Sequence, residues 1–230
     1  AELGGKNPML VLSDADPVKA AEGAIRACFS NSGQLCIAIE RIYVVEESYD
    51  EFLKHFVANT KAMKLGAGND WEITMGPLIS EKQFVRVRDQ VNEAVSKGAK
   101  VEVGGKVRPD IDATYFEPTI LTNVTDDMEL GRGETFGPVV AIYKVANDAE
   151  AIARGNDTDY GLNSSVWGGA AAKRAAVQME SGSVNINEGF SAGFASHDAP
   201  MGGMKTSGLG RRHGREGLLK YTNSQTISVQ

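Results

Sequence analysis

Apolar positions along this 230-residue chain form short continuous runs and longer segments with helical spacing. Short apolar runs predict strands, and the most continuous one, residues 139–145, is typical of a strand buried on both faces. The predicted strands cover residues 9–12, 41–45, 100–103, 116–121, 139–145, 164–167 and 183–187. Helices are predicted between them, beginning near residues 17, 48, 80, 148 and 170. This alternation predicts an α/β fold with a mainly parallel sheet.

Capping residues indicate where three of these helices begin. Asp16 followed by Pro17 combines a side-chain acceptor with a residue suited to the first helical position. Ser48 is predicted to cap the second helix, and Ser80 with Gln83 resembles a capping box for the third.

The carboxy-terminal part has a weaker pattern. Residues 188–214 are dense in glycine, which predicts a long functional loop rather than regular structure. A short helix is predicted over 215–221, and residues 224–229 alternate as a late strand would.

Composition narrows the classes of function. The net charge of -6 argues against nucleic acid as the main partner, because phosphate binding needs a basic surface. No apolar run is long enough to span a bilayer and no signal peptide is evident, so we expect a cytoplasmic protein without a membrane partner. The two cysteines are expected to be reduced, and the scattered histidines predict no metal site.

Cys36 is the first candidate for chemistry. It follows a polar, glycine-containing turn, where backbone N–H groups could stabilise a thiolate, whereas Cys28 lies on the alanine-rich face of a helix and is expected to be structural. The alternative for Cys36 is a small buried hydrophobic residue. Glu2 supplies a carboxylate, and a thiol with a carboxylate base can form a thioester and then hydrolyse it.

Two further segments carry candidate functional residues. Glu134 and Phe136 stand just before the buried strand that begins near residue 139, where a simple strand-entry turn is the alternative. The glycine-rich run 200–211 could cradle a phosphate, but it matches neither the P-loop nor the dinucleotide-binding pattern.

Taken in order, these motifs resemble the carboxy-terminal catalytic half of an NAD(P)-dependent aldehyde dehydrogenase over essentially the whole chain. The motifs are Glu-Leu-Gly-Gly-Lys-Asn-Pro at 2–8, Gly-Gln-Leu-Cys at 33–36, Glu-Thr-Phe-Gly-Pro at 134–138, Asn-Asp-Thr-Asp-Tyr-Gly-Leu at 156–162, Gly-Ser-Val-Asn-Ile-Asn at 182–187, and the run 200–211. The resemblance implies a three-layer α/β catalytic domain over 1–221 and an oligomerisation strand over 222–230. It also implies an upstream dinucleotide-binding domain that this chain does not contain.

The resemblance assigns a role to four residues. Cys36 would attack the aldehyde and Glu2 would activate the hydrolytic water. Glu134 would hold the nicotinamide ribose of NAD or NADP, with the ring of Phe136 packed beside it. The oxyanion would be held by the Cys36 N–H and by an asparagine upstream of this chain. Since most of the cofactor site would also lie upstream, we expect the isolated chain to bind NAD(P) poorly and not to turn over.

The segment 28–36 and the ending 201–221 further resemble the succinate-semialdehyde dehydrogenase branch, which implies succinate semialdehyde or a similar small aldehyde as substrate. Ser30 stands where better-known members carry an arginine that grasps the substrate carboxylate. Ser30, Leu35, Ser196 and His197 are the candidates for the substrate tunnel, although a solvated loop histidine is the alternative for His197. The whole enzyme is expected to be a homodimer or a tetramer.

Two other functions stay open from the residues alone. Cys36 and Glu2 could serve a cofactor-independent thiol esterase. The chain could also be a non-catalytic structural relative, although the presence of both groups argues against that.

Overall fold

A computed structural model describes residues 1–230 as nine strands and eight α-helices. The strands are β1 (Asn7–Val11), β2 (Ile39–Val45), β3 (Lys100–Val103), β4 (Thr119–Thr122), β5 (Val139–Val145), β6 (Tyr160–Gly161), β7 (Asn163–Trp167), β8 (Ser183–Ile186) and β9 (Met204–Lys205). The helices are α1 (Pro17–Phe29), α2 (Glu46–Lys61), α3 (Glu81–Ser96), α4 (Glu129–Arg132), α5 (Asp148–Asn156), α6 (Ala170–Ala176), α7 (Ser191–Ala195) and α8 (Gly214–Leu219).

The predicted mainly parallel sheet is confirmed. Seven strands form one sheet in the order β3-β4-β5-β2-β1-β7-β8, in which only the β3–β4 pair is antiparallel. A second, two-stranded antiparallel sheet joins β6 to β9. None of the helices is both long and apolar enough to cross a membrane.

The sheet separates two hydrophobic cores, which makes the domain three-layered. Met9 and Val11 of β1 point into a core shared with α1 and α2, whereas Leu10 and Leu12 point into a core shared with α3, α5 and α6. Because successive side chains of a strand face opposite sides, a fully apolar strand requires helices on both faces of the sheet.

Two of the three predicted helix caps are confirmed. The Asp16 side chain accepts hydrogen bonds from the backbone of the first turn of α1, and Ser80 Oγ accepts from Gln83 N at 3.3 Å. The cap at Ser48 is wrong: α2 begins at Glu46, directly after β2, without a side-chain cap. The acidic residues of its first turn interact favourably with the helix dipole.

The carboxy-terminal part contains more regular secondary structure than predicted over 188–214 and less than predicted over 222–230. The loop over 188–214 contains the short helix α7 and the strand β9. Residues 222–230 form no strand within the chain and are exposed. A strand needs a neighbour for its N–H and C=O groups, so addition to another subunit's sheet stays a prediction.

Candidate active site

The motifs meet at the edge of the sheet where the parallel strands begin. Glu2 precedes β1, Cys36 precedes β2, Glu134 precedes β5 and Leu162 precedes β7. These four strands are neighbours in the sheet and run parallel, so the segments that lead into them converge at one edge. Residues far apart in sequence are thereby brought together.

A left-handed turn delivers Cys36 to this edge. Asn31, Ser32 and Gly33 have φ values of 51°, 58° and 69°. A Cβ atom at Gly33 would lie 2.1 Å from the carbonyl oxygen of Gly137, so only glycine allows the turn to pack against that segment. The turn therefore fixes the cysteine loop against the chain that carries Glu134.

The Cys36 side chain is half-buried among apolar residues. It packs with a small cluster formed by Leu35, Ile37, Leu162, Phe190 and Met201. The loop is held from behind by Asn7, whose Nδ2 donates to the carbonyl oxygens of Cys36 at 2.9 Å and Ala38 at 2.7 Å. Phe190 and Met201 were not identified from the sequence, because nothing local links them to a cysteine so distant in the chain.

The charge of Glu2 acts on the thiol of Cys36. Burial raises the pKa of Cys36 to about 12, and the nearby Glu2 carboxylate contributes to that shift. Cys36 is therefore protonated at neutral pH and needs a base to become a nucleophile. Cys28, by contrast, is 2% exposed in the core under α1, where burial raises the pKa of its thiol.

Backbone pairing holds Glu2 in place. Glu2 forms an antiparallel bridge with Gly208, and Leu3 N donates to Ser207 O at 2.8 Å. The Glu2 carboxylate makes a salt bridge of 2.7 Å with Arg212. Arg212 was not predicted, since the last residue that the sequence motif singled out is its neighbour Arg211.

The Glu134 carboxylate lies against the backbone of the two adjacent glycines, Gly4 and Gly5. Gly5 N donates to Glu134 Oε1 at 2.8 Å, and a Cβ atom at Gly4, where φ is 105°, would lie 3.1 Å from the same oxygen. Burial raises the pKa of Glu134, while the Gly5 N–H opposes that shift. Oε2 has no hydrogen-bond partner within the chain and is available to accept a bond from a hydroxyl group.

A buried ion pair supports the segment that carries Glu134 and Phe136. Lys6 Nζ lies 2.7 Å from Glu40 Oε2, and both side chains are almost fully buried. Glu40 also accepts hydrogen bonds from Thr135 N at 2.9 Å and from Phe136 N at 2.8 Å. This arrangement holds Phe136 in its left-handed conformation, with φ at 53°. Two charged residues, Glu40 and Arg41, within the otherwise apolar strand β2 were the available signal, and it was not used.

The four predicted tunnel residues differ in their position. Leu35 packs in the cluster around Cys36. Ser30 caps the end of α1, Ser196 Oγ accepts from Ala199 N, and His197 is exposed with its carbonyl bonded to Gly214 N. None of these three forms a hydrogen bond with Cys36, so their part in a tunnel stays a prediction.

The donor set fits a nicotinamide nucleotide better than a metal ion. No three His, Cys, Asp or Glu side chains are grouped so that they could hold a metal. The free Oε2 of Glu134 can accept from a ribose hydroxyl, and the half-buried ring of Phe136 offers an apolar surface beside it. These features fit the ribose and ring of such a cofactor.

This chain belongs to the aldehyde dehydrogenase family, whose family model matches residues 1–227. Among its relatives, a protein from Mycobacterium tuberculosis strain H37Rv is named as a succinate-semialdehyde dehydrogenase [NADP(+)] 2. It is 56% identical over all of this chain and 45% of its own length. A Pseudomonas putida glutarate-semialdehyde dehydrogenase is 41% identical over 99% of this chain and 47% of its own length.

A solved structure agrees with the fold. Betaine aldehyde dehydrogenase from Staphylococcus aureus, crystallised with NAD+, superposes with a TM-score of 0.90 at 38% identity, covering 96% of this chain and 44% of the other. The predicted family and fold are confirmed. The chain spans about half the length of the curated relatives that it matches.

Proposed function

We propose that this chain carries the nucleophile and the general base of an NAD(P)-dependent aldehyde dehydrogenase, an oxidoreductase that converts a small semialdehyde to the carboxylic acid. The observation that carries the proposal is the half-buried Cys36 thiol, which is packed in an apolar cluster and lies close enough to the Glu2 carboxylate for that charge to raise the pKa of the thiol. Membership of the family supports the reaction type.

The reaction begins with proton transfer from Cys36 Sγ to the Glu2 carboxylate. The resulting thiolate attacks the aldehyde carbon, which forms a C–S bond and moves the carbonyl electrons onto oxygen. The Cys36 N–H makes no hydrogen bond within the chain and is free to donate to that oxygen. The product of this step is a thiohemiacetal on Cys36.

Oxidation then requires loss of hydride from the thiohemiacetal carbon, and NAD(P)+ supplies the acceptor when bound. Glu134 would hold the ribose through its free Oε2, and Phe136 would pack beside the ring. With that acceptor bound, hydride loss would restore the C=O bond and leave a thioester bonded to Cys36 Sγ. The apolar cluster around the sulfur limits the access of water before this point.

Hydrolysis returns the enzyme to its starting state. Glu2 first releases to solvent the proton that it took from Cys36. It then takes a proton from water as that water attacks the thioester carbon, the C–S bond breaks to release the acid, and the sulfur receives the proton from Glu2. Glu2 suits this task because its side chain is 23% exposed and therefore accessible to water, whereas the thiol is packed among apolar groups.

The proposed substrate class rests on the names of the relatives rather than on a residue that would bind a distal carboxylate. The names of the relatives specify succinate and glutarate semialdehydes, which both carry a distal carboxylate. Ser30 offers no charge for that carboxylate. We therefore propose a small semialdehyde, with succinate semialdehyde first, and NADP+ before NAD+ because the 56% identical relative is named for NADP+.

We extend the proposal to the assembled enzyme. Residues 1–221 would form the catalytic domain, with the dinucleotide-binding domain contributed by upstream chain. Residues 222–230 would add to another subunit's sheet in a homodimer or tetramer, since Ile227 and Val229 are 80% and 93% exposed here. A cytoplasmic location fits two free cysteines, one of which must stay reduced for catalysis.

The test uses the full-length enzyme that contains this chain. Formation of the reduced cofactor is measured over a panel of aldehydes, with NAD+ and NADP+ tested separately. The panel includes succinate semialdehyde, glutarate semialdehyde and betaine aldehyde. We expect turnover with semialdehydes that Cys36→Ala abolishes. Cys28→Ala is the matched control and should retain turnover, because Cys28 is buried away from the site.

Two other results would refute the proposal. Hydrolysis of activated esters without cofactor, with no aldehyde oxidation, would favour a thiol esterase. Equal and slow alkylation of Cys36 and Cys28, without turnover, would favour a structural relative.

A further inference from the structure

The glycine-rich run 200–211 closes on itself and presents Arg212 to the site. Met201 and Arg212 form an isolated antiparallel bridge, with Met201 N donating to Arg212 O at 2.7 Å and Arg212 N to Met201 O at 2.6 Å. The same loop pairs with the first residues of the chain through the bridge between Glu2 and Gly208. One loop backbone therefore holds both members of the Glu2–Arg212 ion pair.

The Arg212 guanidinium has few partners besides Glu2. Its Nη2 lies 2.7 Å from Glu2 Oε2 and 3.7 Å from Met201 Sδ, while its Nε is buried without a hydrogen-bond partner. The pairing uses Oε2 of Glu2 and leaves Oε1 to take a proton. The ion pair with Glu2, the proposed base, therefore accounts for the position of the guanidinium.

The charges explain why the site needs this cation. In the proposed reaction one negative charge moves between the Glu2 carboxylate and the Cys36 sulfur, and the side chains packed on the sulfur are apolar. A charge in an apolar setting is costly unless a nearby cation balances it. Arg212 is the cation that contacts Glu2.

We propose that Arg212 is a positioning residue: it holds the Glu2 carboxylate beside Cys36 and balances the negative charge that the two groups share. This inference rests on the proposed function, and it assigns to Arg212 a role in both proton transfers of Glu2.

The titration of Cys36 supports the inference. Burial and Glu2 raise the pKa of the thiol, whereas the charge of Arg212 lowers it. The charged groups that act on the thiol are Glu2 from the amino-terminal segment and Arg212 from the carboxy-terminal loop. Leu162 and Phe190, from the other segments packed there, carry no charge. Removing Arg212 therefore takes away the charge that opposes burial and Glu2.

The experiment uses the full-length enzyme and the variants Arg212→Gln, Arg212→Lys and Arg215→Gln. Arg215 is exposed on α8 without an ion pair, so its variant removes an arginine charge nearby and serves as the matched control. The rate of iodoacetamide alkylation of Cys36 is followed against pH by mass spectrometry, without substrate or cofactor, with buried Cys28 as the internal reference.

We expect Arg212→Gln to slow alkylation about three- to tenfold at each pH below the pKa of the thiol, which corresponds to an upward shift of that pKa by about half to one unit. Arg212→Lys should recover most of the shift because it keeps the charge, and Arg215→Gln should match the wild type. In a double-mutant cycle on turnover, Arg212→Gln should cost much less when Glu2 is already Gln.

Two results would overturn the inference. The first is an Arg212→Gln alkylation profile that coincides with the wild type. The second is an equal loss in the Lys and Gln variants, which indicates a structural role without a charge effect. Failure of the proposed function is distinguishable, since a wild type that oxidises no aldehyde would still report the alkylation shift.

Discussion

The first six residues contribute to two ion pairs that differ in almost every respect. Lys6 pairs with Glu40 at 2.7 Å with side chains 1% and 5% exposed. Glu2 pairs with Arg212 at the same distance, but with side chains 23% and 42% exposed. The first pair lies under the segment that carries Glu134, and the second lies beside the thiol of Cys36.

The difference between the two pairs shows that the motif at 2–8 contributes Lys6 to the packing of the domain and Glu2 to the proposed chemistry. Burial lowers the pKa of Lys6, and the Glu40 carboxylate opposes that shift while also accepting backbone hydrogen bonds. Those partners fix the pair in place and support the segment that carries Glu134. Glu2 has one ionic partner and access to water, so it can exchange protons while staying in position.

The largest expected effect on stability comes from breaking the buried pair. Lys6→Met should lower the free energy of unfolding by about 3–5 kcal/mol, because it leaves the Glu40 carboxylate buried without its counter-charge. Urea unfolding of the full-length enzyme measures the loss. Lys64→Met is the matched control, since its ion pair with Glu72 is exposed and should contribute little. Equal losses in the two variants would contradict the assigned difference.

Glu2→Gln should affect turnover strongly and stability weakly. We expect kcat to fall about 10²–10³-fold, because the amide cannot accept a proton from the thiol or from water. If hydrolysis slows more than acylation, a rapid burst of reduced nicotinamide should precede the slow steady state. Stopped-flow absorbance measures both phases, with Glu72→Gln as the surface control. Unchanged kcat in Glu2→Gln would remove Glu2 from the mechanism.

The sequence was sufficient for the sheet and the longer helices, and it nominated Cys36 and Glu2 as a reactive pair, which stays a prediction. Apolar runs and caps predicted the α/β layers, and the polar turn before Cys36 separated it from Cys28. The residues that complete the site were harder to find. Arg212 and Glu2 are 210 residues apart in sequence, and backbone bridges bring their segments together. No periodicity in the sequence encodes such a contact.

Glu40 illustrates a signal that was present and not used. A carboxylate beside a mainly apolar strand needs a partner when both faces of the sheet are covered, so its position at the start of the predicted strand 41–45 pointed to a nearby cation. The sequence did not indicate that this cation is Lys6, since that depends on β1 and β2 being neighbours. Strand order is a property of the packed sheet rather than of any local segment.

The smallest expected effect concerns the response of the two pairs to salt. A double-mutant cycle with Glu2→Gln and Arg212→Gln should give a coupling free energy of about 0.2–1 kcal/mol in unfolding at ~0.1 M salt. That coupling should fall toward zero at ~1 M salt, where the screening length shrinks to about 3 Å. Both groups are accessible to ions, which is the reason for the loss.

The corresponding cycle with Lys6→Met and Glu40→Gln should keep its coupling at both salt concentrations, because ions cannot enter between side chains that are 1% and 5% exposed. Urea unfolding at each salt concentration measures both cycles in the same enzyme. A buried pair that lost its coupling in salt would have to open to solvent, and it could then not hold Phe136 as the structure shows. A salt-resistant coupling between Glu2 and Arg212 would instead mean that this pair is closed to water, which would remove the access that Glu2 needs to activate the hydrolytic water.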